Sequence, residues 1–204
     1  MQLAKVLAET ACEVGCTPPG LAGHDVQFYR SDDFLSRSVV DFLAAGVQAG
    51  QPVIVIATEP HRRAFSDGLR ALGLDPDQAF TGRLAVWLDA RETLDAFMEG
   101  EMPNRELFMA TVGSIFERLL ENRRYLVVRA FGEMVDLLLR HGNFEGAEAV
   151  ERLWNELAAH YKYSLLCGYS IENFLHEAGE SGFRRVCGHH ARALPIEAPA
   201  KNVA

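Results

Sequence analysis

Lysine is almost missing from the interior of this chain: none lies between Lys5 and Lys162. No Gly-rich loop ending in lysine is available to cradle a nucleotide's phosphates, so ordinary ATP hydrolysis is disfavoured. Cysteine is scarce as well. Cys12, Cys16, Cys167 and Cys187 are all there is, and none forms a Cys-x-x-Cys pair, which supports neither a zinc knuckle nor a thioredoxin-type motif. Cys167 sits in the apolar run Ser164–Cys167, where a thiol reads as a small buried hydrophobe. No apolar run approaches the ~20 residues of a membrane span. Basic residues form no block and the formal net charge is −8, so neither nucleic acid nor an anionic membrane is an expected direct partner. A Gly-x-Ser-x-Gly elbow and a His-Glu-x-x-His helix are also lacking. The first residues, Met1 to Leu7, resemble a signal peptide only faintly, because Glu9 and Glu13 interrupt the segment. The expected location is cytoplasmic.

What is present is a repeated unit of apolar strand, polar cap and amphipathic helix. His24–Tyr29 alternates as a strand does; Ser31, Asp32 and Asp33 then open a helix with Leu35, Val39, Phe42, Leu43 and Val47 on one face. Val53–Ala57 is apolar on both sides and reads as a central parallel strand. Thr58 and Pro60 begin a second helix, and Leu84–Leu88 ends at Asp89 before a short helix through Leu94 and Met98. A longer helix, roughly 104–122, is expected to bury Leu107, Val112, Ile115, Phe116 and Leu119. Leu126–Phe131, a helix stopped at Gly142, a helix over Phe144–Leu157 and the strand Tyr163–Tyr169 complete the series.

Alternating strands and helices imply an α/β three-layer sandwich around a mostly parallel sheet of at least five strands. One domain is expected over 24–192. Residues 1–23 read as a leader, either a separate short helix or a segment that pairs two copies as a homodimer. Residues 193–204 read as a disordered tail.

If the strands are parallel, their carboxyl ends share one edge, which is where open α/β sheets bind ligands. That edge would present Tyr29, Arg30, Glu59, Asp89, Arg129, Phe131, Glu133 and Tyr169 as the candidate ligand-binding residues. Glu59 and Asp89 read equally well as helix caps. Arg129 lies inside an apolar strand and needs a partner. Glu133 is the expected one, in either a structural pair or a ligand clamp. The seven histidines read as solvated or capping residues. His189 and His190 are adjacent, and neighbours seldom point at one ion, so no metal or other cofactor is expected.

Together, the segments His24–Tyr29, Phe42–Thr58, Gly82–Leu84 with Leu88–Ala90, Arg129–Met134, Leu153–Leu157 and Ser164–Tyr169 resemble the MEDS sensory domain. That family is named for methanogen and methylotroph sensors and the dichloromethane-responsive repressor. Its strand entry at Gly50-Gln51-Pro52 is also similar to RecA/KaiC-type ATPases, implying a RecA/KaiC-like core without a phosphate-binding loop. The resemblance implies a non-catalytic module of bacterial signal transduction that senses a small ligand, apolar or hydrocarbon-derived. Tyr29, Phe131 and Tyr169 would wall the ligand, while Arg129 and Glu133 fix its polar groups. A 23-residue leader is too short for a helix-turn-helix and no kinase follows, so a separate histidine kinase or transcription regulator is the expected partner. The alternatives are a ligand-free protein–protein adaptor and a residual nucleotide-binding, ATPase-like protein with Glu133 as base.

Overall fold

The computed structural model describes residues 23–75, 85–121, 127–175 and 179–194. The expectations for the leader, for Gly82 to Leu84, for Leu126 and for the tail beyond Leu194 lie outside these residues. Six strands form one sheet, every neighbouring pair parallel: β1 (Gly23–Tyr29), β2 (Val53–Ala57), β3 (Ala85–Asp89), β6 (Val128–Gly132), β7 (Tyr163–Ser170) and β8 (Arg192–Leu194). The order across the sheet is β3-β2-β6-β7-β1-β8. Two further strands, β4 (Met98–Glu99) and β5 (Met102–Pro103), make a small antiparallel hairpin turned at Gly100, whose φ of 62° suits glycine.

Helices cover both faces. On one side α1 (Asp32–Gln48) and α2 (Glu59–Ala71) bury Leu35, Val39, Leu43, Phe65 and Leu69 against Val53, Val55, Phe131 and Leu166. On the other lie α3 (Ala90–Asp95), α4 (Arg105–Phe108), α5 (Ser114–Leu119), α6 (Met134–Arg140), α7 (Phe144–Leu157) and α8 (Gly179–Gly188). They pack on Val26, Phe28, Ile54, Ile56, Val128, Ala130 and Leu165. This is the three-layer α/β sandwich that the alternating pattern implies. Successive side chains of a strand point to opposite faces, so each central strand supplies both cores.

Local chemistry sets the joints. Ser31 accepts from the Phe34 amide to start α1, with Asp32 and Asp33 in the first turn, where the helix dipole favours negative charge. Gly50, at φ 67°, turns the chain out of α1 and into β2.

Several elements depart from the sequence reading. α3 ends at Asp95, and Met98 belongs to the hairpin. The helix expected over 104–122 is divided by a π-helical stretch, Met109–Gly113, between α4 and α5. Leu107 is 39% exposed, whereas Phe108 is fully buried. Phe108 lies four residues before Val112 and so shares its face, while Leu107 lies five before it and does not. The chain from residue 193 was expected to be tail, yet Ala193 and Leu194 belong to β8, which pairs with β1 as the sixth strand. Its anchor is Arg192, whose guanidinium donates to both Asp25 carboxylate oxygens.

Candidate functional site

The carboxyl edge of the sheet gathers residues from β1, β2, β6 and β7, and Glu133 is one of its two deeply enclosed acids. Following directly on β6, it is 1% exposed. Its carboxylate accepts from the backbone N–H of Thr58 at the end of β2 and lies 2.5 Å from Nδ1 of His61 on α2. The other ring nitrogen, Nε2, is 3.4 Å from Asp32 at the start of α1. Burial favours the neutral imidazole, but Glu133 and Asp32 outweigh it and hold the His61 pKa above its ordinary value. Thr58, at the start of α2, makes no side-chain capping bond; its backbone N–H serves Glu133 instead.

Beside this triad lies a second buried acid, Asp136, 1% exposed on the first turn of α6. One carboxylate oxygen accepts from the Ser170 amide at 2.8 Å and from the Asn173 side chain at 2.6 Å. The other accepts from Arg140 Nε at 2.7 Å and from the Tyr29 hydroxyl at 3.4 Å. Arg140 also donates to the Tyr29 oxygen at 3.1 Å. Burial pushes the Asp136 carboxyl upward against the Arg140 charge and the Ser170 amide. Burial, followed by Asp136 and Glu133, raises the Tyr29 phenol. The Tyr29 and His61 rings meet edge to face at 6.2 Å, which joins the two groups into one network.

Only part of the expected constellation assembles there. Tyr29 and Glu133 belong to the network. Arg30 is exposed beyond β1. Glu59 is exposed and pairs with Arg63 one helical turn on. Asp89 caps α3 through the Arg91 and Glu92 amides and pairs with Arg62 at 3.0 Å. Arg129 is the largest correction, because it does not meet Glu133. It lies near the amino end of β6, donating to Gln51 Oε1 at 2.7 Å and to the Phe42 carbonyl at 3.0 Å, with its guanidinium 4.9 Å from the centroid of the Phe42 ring. Phe131 packs under α2 against Phe65. Tyr169 projects from the opposite face, where its hydroxyl donates to Glu151 at 2.5 Å. Tyr29, Phe131 and Tyr169 therefore form no common wall.

His61, Asp136, Arg140 and Asn173 were not anticipated. A signal existed for Asp136: it interrupts the apolar run Met134–Leu139, and a charge in such a run must find partners. The sequence reading treated three further residues separately, His24 and His190 as solvated or capping histidines and Cys167 as a core thiol. The fold brings all three to Glu151 on α7. A cleft of about 510 Å³ lies at the amino end of β7 and is lined by residues including Glu117, Leu120, His160 and Lys162. It contains none of the expected site residues.

The central sheet is wholly parallel, and buried ionisable groups collect at its carboxyl edge, the edge where open α/β sheets hold their ligands. Residues 23–190 match the family model described as the MEDS domain, the methanogen/methylotroph, DcmR sensory domain, and the chain belongs to that family. It is thus a sensory domain. No curated protein matches the chain at a significant level. Among the described residues, no helix is long and apolar enough to cross a membrane.

Proposed function

We propose that the chain is a non-catalytic, cytoplasmic sensory module that binds a small, hydrocarbon-derived ligand at the carboxyl edge of its sheet. The observation carrying this reading is the Tyr29–Asp136–Arg140 cluster. Asp136 links α6 to the ends of β1 and β7 and to the turn at Asn173. Arg140 is its open end, with the side chain 49% exposed. A ligand carrying a hydroxyl, carboxylate or halide would compete for the Arg140 and Tyr29 donors. Of the two partners that Asp136 would lose, Tyr29 is the one tying α6 to the end of β1, so occupancy becomes a shift of α6 and of α7 behind it. A separate kinase or transcription regulator would read that shift.

Native mass spectrometry of freshly purified protein, followed by thermal-shift assays with one- and two-carbon alcohols, carboxylates and halides, tests this reading. At least one compound should raise the melting temperature of the wild type and not of Arg140→Gln. No copurifying molecule and no shift with any compound would favour a ligand-free adaptor.

Phosphoryl transfer finds no support at this edge. Asp32 and Asp33 occupy the β1–α1 junction where a phosphate cradle would need amides and a lysine. Magnesium-dependent phosphate release from ATP should stay at background, and turnover abolished by Glu133→Gln would overturn the non-enzyme assignment.

A further inference from the structure

Away from the carboxyl edge, in the layer between the sheet and helices α7 and α8, four side chains from four segments converge. His24 comes from the start of β1, Cys167 from the middle of β7, Glu151 from α7 and His190 from the turn between α8 and β8. Glu151 and Cys167 are each 1% exposed, His24 is 9% exposed and the His190 side chain is fully enclosed. One donor atom from each lies within 4.8 Å of all the others. His24 Nε2 is 3.2 Å from Cys167 Sγ and 3.0 Å from Glu151 Oε2. His190 Nε2 is 3.3 Å from Glu151 Oε1, and Cys167 Sγ is 3.8 Å from Glu151 Oε2. Donors set tetrahedrally around zinc, at bond lengths of about 2.0–2.3 Å, stand about 3.3–3.8 Å apart.

The surrounding shell aims the lone pairs inward. His24 Nδ1 is 2.9 Å from Asn155 Oδ1, and the Asn155 amide is oriented because its nitrogen donates to the His189 carbonyl. His190 Nδ1 is 2.7 Å from the Val186 carbonyl. With Nδ1 donating to these acceptors, a neutral ring presents Nε2 as an acceptor, toward Glu151 and Cys167 for His24 and toward Glu151 for His190. His190 Nε2 is buried and makes no hydrogen bond. Tyr169 donates to Glu151 and fixes its carboxylate. Metal-binding histidines are oriented in this way, each giving its second N–H to a carbonyl.

We propose that His24, Glu151, Cys167 and His190 form a mononuclear site for a divalent transition metal of the zinc class. Two imidazoles, one thiolate and one carboxylate suit a borderline cation, whereas magnesium and calcium call for oxygen donors throughout. With four protein ligands the site is closed and serves to clamp rather than to catalyse. Binding breaks the Cys167 S–H bond; the electron pair stays on sulfur as a metal ligand and the proton leaves to solvent. The metal would tie β1, β7 and α7 to the segment leading into β8. This proposal stands apart from the ligand reading at the carboxyl edge.

The test uses the full chain in a Cys12/Cys16/Cys187→Ser background, so that Cys167 is the sole thiol. After chelator treatment, zinc and cobalt(II) are titrated in, with elemental analysis of the gel-filtered product. One metal per chain, a tetrahedral cobalt spectrum and a thiolate-to-cobalt charge-transfer band are expected. Adding Cys167→Ser should abolish the band, and His190→Gln should weaken binding at least tenfold. A folded chain that takes up no metal, or cobalt bound without the thiolate band, overturns the proposal. If the added variants do not fold, X-ray absorption on the zinc-loaded background protein decides. One sulfur with three nitrogen or oxygen neighbours supports the site, and a shell without sulfur refutes it.

Discussion

Glu133 shows how much can rest on one side chain. Its carboxylate is buried and serves both a backbone amide and His61. Glu133→Ala would leave the Thr58 N–H and Nδ1 of His61 unpaired inside the protein, at a cost of about 3–5 kcal/mol. Glu133→Gln retains an oxygen for the amide and should cost less, about 1–3 kcal/mol; urea denaturation of the two variants would show that order. His61 adds a pH dependence of definite sign. Its free pKa is near 6.5 and its folded value is higher, so the folded state holds the proton more tightly. The stabilisation is complete below about 6.5 and is lost as pH rises through the folded value. That portion of the stability–pH curve should be missing from His61→Gln. Arg129 marks where sequence proximity misleads. Four residues along a strand span about 13 Å, so Arg129 and Glu133 sit at opposite ends of β6 and cannot pair.

Helix and strand packing explains two glycines that the apolar pattern passes over. A Cβ at Gly68 on α2 would stand 2.5 Å from a Val40 methyl on α1. Overpacking of that kind costs about 1–3 kcal/mol, against about 1 kcal/mol of helix propensity gained by alanine. Gly68→Ala should therefore be neutral to destabilising, and Val40→Ala in the same chain should recover part of any loss. A double-mutant cycle reads that coupling directly. At Gly46 the added carbon would lie 2.6 Å from Arg129 Cδ. The stem of Arg129 runs across α1 at this position, held by Gln51 and the Phe42 carbonyl. Gly46→Ala should thus dislodge Arg129, and its destabilisation should shrink in an Arg129→Ala background. The π-helical stretch between α4 and α5 is the element least visible in sequence, because a helical hydrophobic pattern does not announce an extra residue in a turn.

Across the whole molecule, stability should fall from the centre of the sheet to its edges. β2, β6 and β7 are buried along their whole length, while β3 and β8 are half-buried throughout. Hydrogen exchange should report this gradient, with amides of β6 and β7 exchanging only through global unfolding and those of β8 earliest among the strands. Equal protection of β8 and β6 would mean that the β8 edge is clamped more firmly than its three-residue pairing accounts for. The domain is thus built around a rigid centre, with the half-buried edge strands β3 and β8 the least protected of the sheet.

The order of strands and helices, the parallel sheet and the three layers were legible in the sequence because apolar periodicity and capping residues are local signals. So was the family, through an ordered series of short motifs. Local patterning left open which polar residues would meet. Tyr29, His61 and the Glu133–Asp136 junction come from three separate segments, and only the crossover order that sets β6 between β2 and β7 brings them to one edge. The same holds for His24, Glu151, Cys167 and His190, which are spread over 167 positions (24 to 190) and carry no characteristic spacing. Burial is decided by what packs opposite, so partner choice for a charged side chain belongs to the tertiary structure alone.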